Sequence, residues 1–270
     1  MRRNYRSLSK RLTPAWLMNL SGRIRSTRTP DLDAAIRPLL EKAVGLETEI
    51  VVIDVGANTG QSVTRFQRYL KQAIFHTFEP IPSCHALLVD NFQGPNFVHN
   101  RVALSNTNGP SEFNEFAKRN TSSFLRPDLT SSWASERAAV YGGGKLSNLV
   151  ADRYEVPCMT LDSYIDKFTK LTDNRIHLLK MDTQGHEGQV LEGATKLLSD
   201  PLRRPLLIES EVILGAMYEG DLNFFDIEKY LIPHGYKLIA IVRGGNILDN
   251  PFLNVDVLYA SPEMVPVIPR

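Results

Sequence analysis

One acid and two glycines stand at the end of the first strongly apolar run of the chain. Asp54 lies within the run that begins at Ile50, and the residues after it read Val-Gly56-Ala-Asn58-Thr-Gly60. Glycine at such positions lets the backbone turn sharply and approach a ligand that a Cβ would exclude. The spacing differs from the Gly-x-Gly-x-x-Gly loop of dinucleotide sites, and an acid here would repel a pyrophosphate but suit a cationic group. A tight connection without a ligand is the structural alternative.

A second acid, Glu79, ends the apolar run Phe75-His-Thr-Phe78 and is followed by Pro80, which ends the strand. A carboxylate at a strand end can accept hydrogen bonds from both hydroxyls of a ribose. A solvated strand-end acid is the alternative. Together with Asp54 and the glycine turn, Glu79 predicts a nucleoside site. The cationic sulfonium and ammonium of S-adenosylmethionine (SAM) would suit the first acid, although these residues alone do not separate SAM from other nucleosides.

The stretch from Leu179 to Glu187 carries the candidate groups for proton transfer. Lys180 and Asp182 are two residues apart, so on a strand they point to the same side, with Asp182 at the carboxyl end where open α/β sheets bind ligands. A charged pair inside an apolar strand is unfavourable unless it is paired or used. Asp182 and His186 are therefore candidates for removing a proton from an acceptor, with Lys180 beside them. In the structural alternative, Asp182 caps the next helix and Lys180 neutralises it.

A further acid pair, Glu209 and Glu211, ends a later strand. With Asp182, these carboxylates are the hard oxygen ligands that a divalent ion such as Mg²⁺ would take. A compact metal motif is missing from this sequence, so we predict no metal ligands and keep a divalent ion only as a minor hypothesis.

Alternating strand and helix patterns carry these residues. The predicted strands are 50–55, 74–78, 97–104, 111–116, 156–161, 176–181, 206–209, 236–242 and 255–260, and the predicted helices are 30–44, 61–72, 83–91, 163–168, 187–198 and 224–232. Such alternation predicts an α/β, Rossmann-like fold of the class I methyltransferase type, with a mostly parallel seven-stranded sheet and helices on both faces. The last two strands, joined through Gly-Gly-Asn, predict a C-terminal antiparallel hairpin.

In these motifs the sequence resembles the FkbM-type methyltransferases, class I SAM enzymes that methylate hydroxyls on polyketides, sugars, polysaccharides and related metabolites. The resemblance spans about residues 50 to 240 and rests on segments 52–60, 78–80, 102–105, 121–123, 160–163 and 179–193. It implies that Asp54, Gly56, Asn58 and Gly60 hold the methionine part of SAM, that Glu79 holds its ribose, that Ala103 lies near the adenine, and that Thr121, Ser122 and Ser123 close over the cofactor. Gln184 departs from the family, which is usually acidic at this position.

The resemblance implies a SAM-dependent O-methyltransferase that acts on a sugar, a polysaccharide or a secondary metabolite. Two alternatives remain open. A SAM-fold binding or scaffold protein without turnover is consistent with Gln184 and with the unassigned base. An NAD-dependent oxidoreductase is disfavoured because the dinucleotide loop is absent.

We divide the chain into a basic N-terminal arm at 1–29, a SAM-binding domain at 30–262 and a tail at 263–270. Within the domain, the Ser, Thr and Gly-rich segment 120–148 is expected to be an irregular lid or acceptor loop, in which Trp133 or Tyr141 could stack on a sugar. The arm holds eight Arg or Lys and no acid, so it could contact anionic lipid, polysaccharide or a partner, or be a solvated tail.

The bulk composition restricts the partners. The formal net charge of +1 gives no footprint for nucleic acid. No stretch approaches the roughly 18 apolar residues that span a bilayer, and the two cysteines suit a reducing compartment, so we expect a cytoplasmic protein. The expected partner is a small-molecule or glycan acceptor, and the oligomeric state stays open.

Overall fold

The parallel strands that carry the candidate residues lie side by side at the centre of one sheet. The computed structural model describes residues 32–167, 175–220, 223–243 and 254–268, so the predicted N-terminal arm lies outside the described residues. The strands are β1 (Ile50–Val55), β2 (Ala73–Phe78), β3 (Phe97–Asn100), β4 (Ala103–Leu104), β5 (Gly109–Phe116), β6 (Val150–Met159), β7 (Leu178–Met181), β8 (Leu207–Ile213), β9 (Lys237–Arg243) and β10 (Asn254–Ala260).

Seven of these strands form the main sheet in the order β3-β2-β1-β7-β8-β10-β9. Strands β3, β2, β1, β7 and β8 run parallel to their neighbours, whereas β10 is antiparallel to both β8 and β9. The predicted seven-stranded Rossmann-like sheet with a C-terminal antiparallel pair is therefore confirmed. Because the parallel strands end at the same edge, the sheet brings Asp54, Glu79 and Asp182 to one side of the molecule.

Helices cover both faces of the sheet. They are α1 (Asp33–Ala43), α2 (Gln61–Phe66), α3 (Pro82–Asn91), α4 (Ser132–Tyr141), α5 (Leu161–Lys167), α6 (Glu187–Glu192), α7 (Thr195–Ser199) and α8 (Phe225–Leu231). Strand β1 is buried along its whole length because its alternate residues enter two different cores: Val51 and Ile53 face one, and Ile50 and Val52 face the other. None of the helices in the described ranges combines the length and apolar character needed to cross a membrane.

A second, three-stranded sheet in the order β4-β6-β5 lies outside the main one. The prediction of one strand over 97–104 is wrong because the chain leaves the main sheet after Asn100 and enters the second sheet at Ala103. The predicted edge strand over 111–116 likewise pairs with β6 rather than with the main sheet. Periodicity identifies an extended segment but not the sheet that it joins.

The middle segment is more ordered than the sequence indicates. Helix α4 begins after Ser131, whose hydroxyl caps it by accepting a hydrogen bond from the Ala134 amide. Trp133 is 2% exposed and packs against Phe116 and Tyr218. The expectation of an irregular loop over 120–148 is therefore wrong, since this aromatic cluster anchors a helix, and Trp133 is not free to stack on a sugar. That the segment covers a bound acceptor stays a prediction.

Residues 263–268, expected to be a tail, pack against the main domain. Met264 is buried in the core beside α1, and the Lys42 ammonium donates a hydrogen bond of 2.9 Å to the carbonyl of Val267. The apolar side chains of Met264, Val267 and Ile268 extend that core, so the domain continues past the predicted boundary at 262.

Candidate functional site

A cavity of about 290 Å³ opens at the carboxyl ends of β1, β2 and β7. The predicted residues that line it are Gly56, Asn58, Glu79, Ala103, Ser122, Lys180 and Asp182. The remaining predicted residues do not belong to the lining: Asp54, Gly60, Thr121, Ser123 and His186. The structure therefore brings most of the two strand-end motifs to one concave site, where small ligands bind in folds of this kind.

Glu79, which directly follows β2, forms a hydrogen bond with the loop that follows β1. The Glu79 carboxylate accepts a hydrogen bond of 2.9 Å from the Asn58 amide at Oε2 and one of 2.8 Å from the Ile81 amide at Oε1. Asn58 needs this support because its φ of 50° lies in the left-handed region that disfavours residues with a Cβ. Each Glu79 oxygen keeps a lone pair for a further donor. The carboxylate can therefore accept hydrogen bonds from hydroxyl groups of a ligand while it accepts those of the two amides.

Burial sets the proton affinity of Glu79. Loss of hydration raises the pKa of its carboxyl to about 7, although the amides of Ile81 and Asn58 oppose that rise. The titration of this carboxyl is therefore moved from the acidic range toward neutral pH. Any ligand that donates hydrogen bonds to it favours the ionised form and is bound more weakly as the pH falls.

Gly56 is required by a close approach between the two motifs. Its φ is +75°, and a Cβ built there would lie 2.0 Å from the carbonyl oxygen of Asp182. The sequence predicts that this glycine allows a ligand to approach. In the structure it allows the backbone of the second motif, at Asp182, to approach. Gly60 similarly faces the ring of Phe92. Gly56 therefore lines the cavity and also admits the backbone of the second motif, whereas Gly60 packs against Phe92 outside the lining.

Lys180 links the acids of the two motifs. Its ammonium lies 3.4 Å from Asp54 Oδ1 and 3.6 Å from Asp182 Oδ2. Burial lowers the pKa of Lys180, but the charges of Asp54, Asp182 and Glu209 outweigh it and hold that pKa above its ordinary value, so the ammonium stays charged. Asp54 is fully buried, whereas the Asp182 side chain is 43% exposed. Of the two acids beside Lys180, Asp182 is therefore the one that a ligand in the cavity can reach.

The residues present do not fit the minor metal hypothesis. Arg65 holds both oxygens of Glu209, at 2.7 and 2.6 Å, which removes Glu209 from any cluster with the other acids. Between Asp182 and Glu211 stands the amide nitrogen of Gln184, 2.7 Å from each carboxylate. An N–H donor occupies the position that a divalent ion would need.

His186 lies behind the wall of the cavity. Its ring packs 4.3 Å from that of Phe124, and its Nε2 shares a hydrogen bond of 2.9 Å with Ser105 Oγ. Burial lowers the pKa of His186 to about 4, which keeps the imidazole neutral near physiological pH. Phe124 lies in the cavity lining and His186 packs against it from outside, so a role of His186 in proton transfer stays a prediction.

The hydroxyls of the run 121–123 are engaged with protein groups. Thr121 Oγ1 donates to the carbonyl of Lys118, and Ser123 Oγ donates to the carbonyl of Gln184. Ser122 Oγ accepts a hydrogen bond from the amide of Phe116 and is the one member of the run in the cavity lining. The run therefore fixes the neighbouring segments and contributes Ser122 to the site.

Several lining residues escaped the sequence argument. Phe113 and Phe124 contribute an edge-to-face aromatic pair with ring centres 5.1 Å apart, and Arg119 and Asn120 come from the turn before the predicted run. Phe113 belongs to β5, whose membership of a second sheet the periodicity does not show. An aromatic residue that follows Thr-Ser-Ser was the available signal for Phe124.

Comparisons with known proteins identify one family. The sequence matches the family model of the methyltransferase FkbM domain over residues 54–238. A search of the curated proteins found no match.

Three of the solved structures that the chain matches are described as methyltransferases or as an RNA-processing protein. The precorrin-6y C5,15-methyltransferase of Geobacter metallireducens is 10% identical with a TM-score of 0.40, over 87% of this chain and 90% of that chain. The 1,6-didemethyltoxoflavin-N1-methyltransferase of Burkholderia thailandensis, with 1,6-didemethyltoxoflavin and S-adenosylhomocysteine bound, is 12% identical with a TM-score of 0.41, over 92% and 85%. The fibrillarin pre-rRNA processing protein of Methanococcus jannaschii is 10% identical with a TM-score of 0.42, over 84% and 75%.

Proposed function

Since the chain belongs to the FkbM methyltransferase family, we propose that it transfers the methyl group of SAM to a hydroxyl group of a sugar, a polysaccharide or a secondary metabolite. The observation that carries this proposal is the cavity at the strand ends. Glu79 and the substrate-accessible carboxylate of Asp182 both line it.

The chemistry of the lining fits SAM. Glu79 offers lone pairs for the two ribose hydroxyls, and the apolar groups of Ile81, Phe113 and Phe124 offer surface for a purine ring. Asp182 offers negative charge to the cationic groups of the cofactor, and Glu211 offers a further oxygen to them. SAM supplies an electrophilic methyl group on its sulfonium, so the protein needs mainly to align the acceptor and to manage one proton.

Asp182 is the group that takes the proton in this proposal. In this transfer the acceptor oxygen would form its bond to the methyl carbon as the carbon–sulfur bond of SAM breaks, with S-adenosylhomocysteine as the leaving group, and the Asp182 carboxylate would take the proton of the acceptor hydroxyl. Gln184 holds Asp182 Oδ1 at 2.7 Å, and Lys180 lies 3.6 Å from Oδ2, so the carboxylate has a defined orientation. Catalysis then depends on a fixed base and on exclusion of water by the aromatic walls.

The test uses SAM carrying a trideuterated methyl group and a panel of sugars, glycans and hydroxylated metabolites, with amine-bearing analogues included. Mass spectrometry should detect the labelled methyl group on a hydroxyl oxygen. The Asp182→Asn variant should lose at least about 100-fold in kcat, as expected for loss of a general base, and should still bind S-adenosylhomocysteine. Transfer only to the amine analogues would contradict O-methylation, and undiminished turnover of Asp182→Asn would remove Asp182 from the proton role.

A further inference from the structure

Gln184 joins more functional groups at the cavity than its sequence position indicates. Its side-chain Nε2 donates hydrogen bonds of 2.7 Å both to Asp182 Oδ1 and to Glu211 Oε2. Its Oε1 accepts from the hydroxyl of Tyr218 at 2.9 Å. The residue is buried and its φ of 57° lies in the left-handed region, so neighbouring contacts must hold it in this conformation.

The carboxamide suits this position because it is neutral and has two N–H donors. Asp182 and Glu211 are both acids, and the side chain between them satisfies one oxygen of each. A glutamate of the same shape has no donor when ionised and a single donor when protonated. Burial and the neighbouring acids Asp182 and Glu187 raise the pKa of Glu211 well above its ordinary value, and glutamine donates to both acidic side chains without adding a charge between them.

Gln184 also connects these acids to the segment that carries Ser122. The Tyr218 hydroxyl lies between Gln184 Oε1 and the carbonyl of Thr121, at 2.9 and 2.8 Å, and shares its hydrogen between them. Ser123 Oγ donates to the Gln184 carbonyl at 2.7 Å. The side chain and the backbone of Gln184 thus both reach the run at 121–123, from which Ser122 enters the cavity lining.

We propose that Gln184 is a positioning residue that holds Asp182 beside Glu211 and couples that pair to the cavity segment at 121–123. This inference rests on the proposed methyl transfer, because Asp182 is the base there. Gln184 lines the cavity itself, and in this role its side-chain amide sets the orientation of that base.

Charged and titratable groups surround this bridge on several elements. Lys180 lies near Asp182, and Glu187 and Asp256 act electrostatically on Glu211 together with Asp182 itself. The Tyr218 hydroxyl contacts the bridge at Gln184 Oε1. Three carboxyl groups already act on Glu211, so a fourth acid at position 184 would have to take up a proton to remain between the pair.

The Gln184→Glu variant tests this role through its pH profile. At low pH the introduced carboxyl is protonated and can restore one of the two donors, whereas above its pKa it repels Asp182 and Glu211. We expect kcat to fall with rising pH and the optimum to move toward acid by at least about one unit. Gln184→Leu, which has no donor at any pH, should lose at least about tenfold in kcat throughout. Gln72→Glu introduces the same charge at an exposed residue and should keep the wild-type profile.

Three further measurements separate the outcomes. Tyr218→Phe keeps the ring but removes the hydroxyl, and should lower kcat by about threefold to tenfold with an unchanged pH profile. Calorimetry should show S-adenosylhomocysteine affinity within about threefold of wild type in the Gln184 variants. Wild-type kcat and pH profile in folded Gln184→Glu and Gln184→Leu would overturn the inference. A wild-type protein that does not bind S-adenosylhomocysteine would instead overturn the proposed function.

Discussion

The ammonium nitrogen of Lys180 lies 3.4 Å from Oδ1 of Asp54, a carboxylate with no exposed surface. The two residues face each other directly on neighbouring parallel strands. The next strand places Glu209 opposite Lys180, so charges of alternating sign cross the centre of the sheet. Asp54 therefore does not line the cavity. It pairs with the ammonium of Lys180, which in turn lies beside Asp182.

Replacing Lys180 by Met should leave the buried Asp54 without its cation. We expect the free energy of unfolding to fall by about 3–5 kcal/mol, the usual result of removing one partner of a buried ion pair. Urea denaturation measures this loss. The double variant Asp54→Asn/Lys180→Met should recover part of the stability, and strictly additive losses in the double-mutant cycle would show that the two groups do not interact.

Alanine at three glycines should separate backbone strain from steric exclusion. Gly94 has a φ of +111° and open space around it, so Gly94→Ala should cost only the strain of about 1 kcal/mol. Gly60→Ala should cost more because the Phe92 ring must move, and Gly56→Ala most because its Cβ would meet the Asp182 carbonyl oxygen. Thermal and urea unfolding provide the ranking. Equal losses at all three positions would contradict the close contact between the two motifs.

His186→Asn should leave the pH dependence of methyl transfer unchanged. The imidazole stays neutral above a pKa of about 4 and is packed against Phe124 outside the lining, so its titration should not appear in kcat/KM between about pH 5 and 9. We expect kcat within about threefold of wild type, since loss of a packing contact alters orientation only slightly. Disappearance of a limb of the pH profile would identify His186 as the base after all.

Much of the fold follows from local patterns. The β-branched run of β1 predicts a central parallel strand because both of its faces are apolar, and α1 shows its buried stripe at Ile36, Leu39 and Leu40. Folds of this kind bind ligands at the ends of their strands, so Glu79 and Asp182 can be predicted as site residues from the sequence alone. Both of these residues line the cavity.

The remainder depends on contacts between distant segments. Trp133 is buried because Tyr218 and Phe116 meet it from other parts of the chain, and no local pattern shows this. The sequence suggests a reactive His186 because it does not show the contact with Phe124, which lies far away along the chain. The contacts of Gln184 could not be predicted from the sequence, since Glu211 and Tyr218 reach it from distant parts of the chain.

Binding of S-adenosylhomocysteine to the wild-type protein and to Glu79→Gln, measured by calorimetry from about pH 5.5 to 8.5, tests the central claim most directly. Hydroxyl donors bind more strongly to the ionised form of Glu79, whose pKa is about 7, so wild-type affinity should be highest above that pH and fall below it. Glu79→Gln should bind at least about tenfold more weakly at about pH 8, with little dependence on pH, because a charged acceptor has been lost. One-site binding with this pattern would support a SAM site at Glu79. Folded wild-type protein that binds no S-adenosylhomocysteine, or an unchanged affinity in Glu79→Gln, would contradict it.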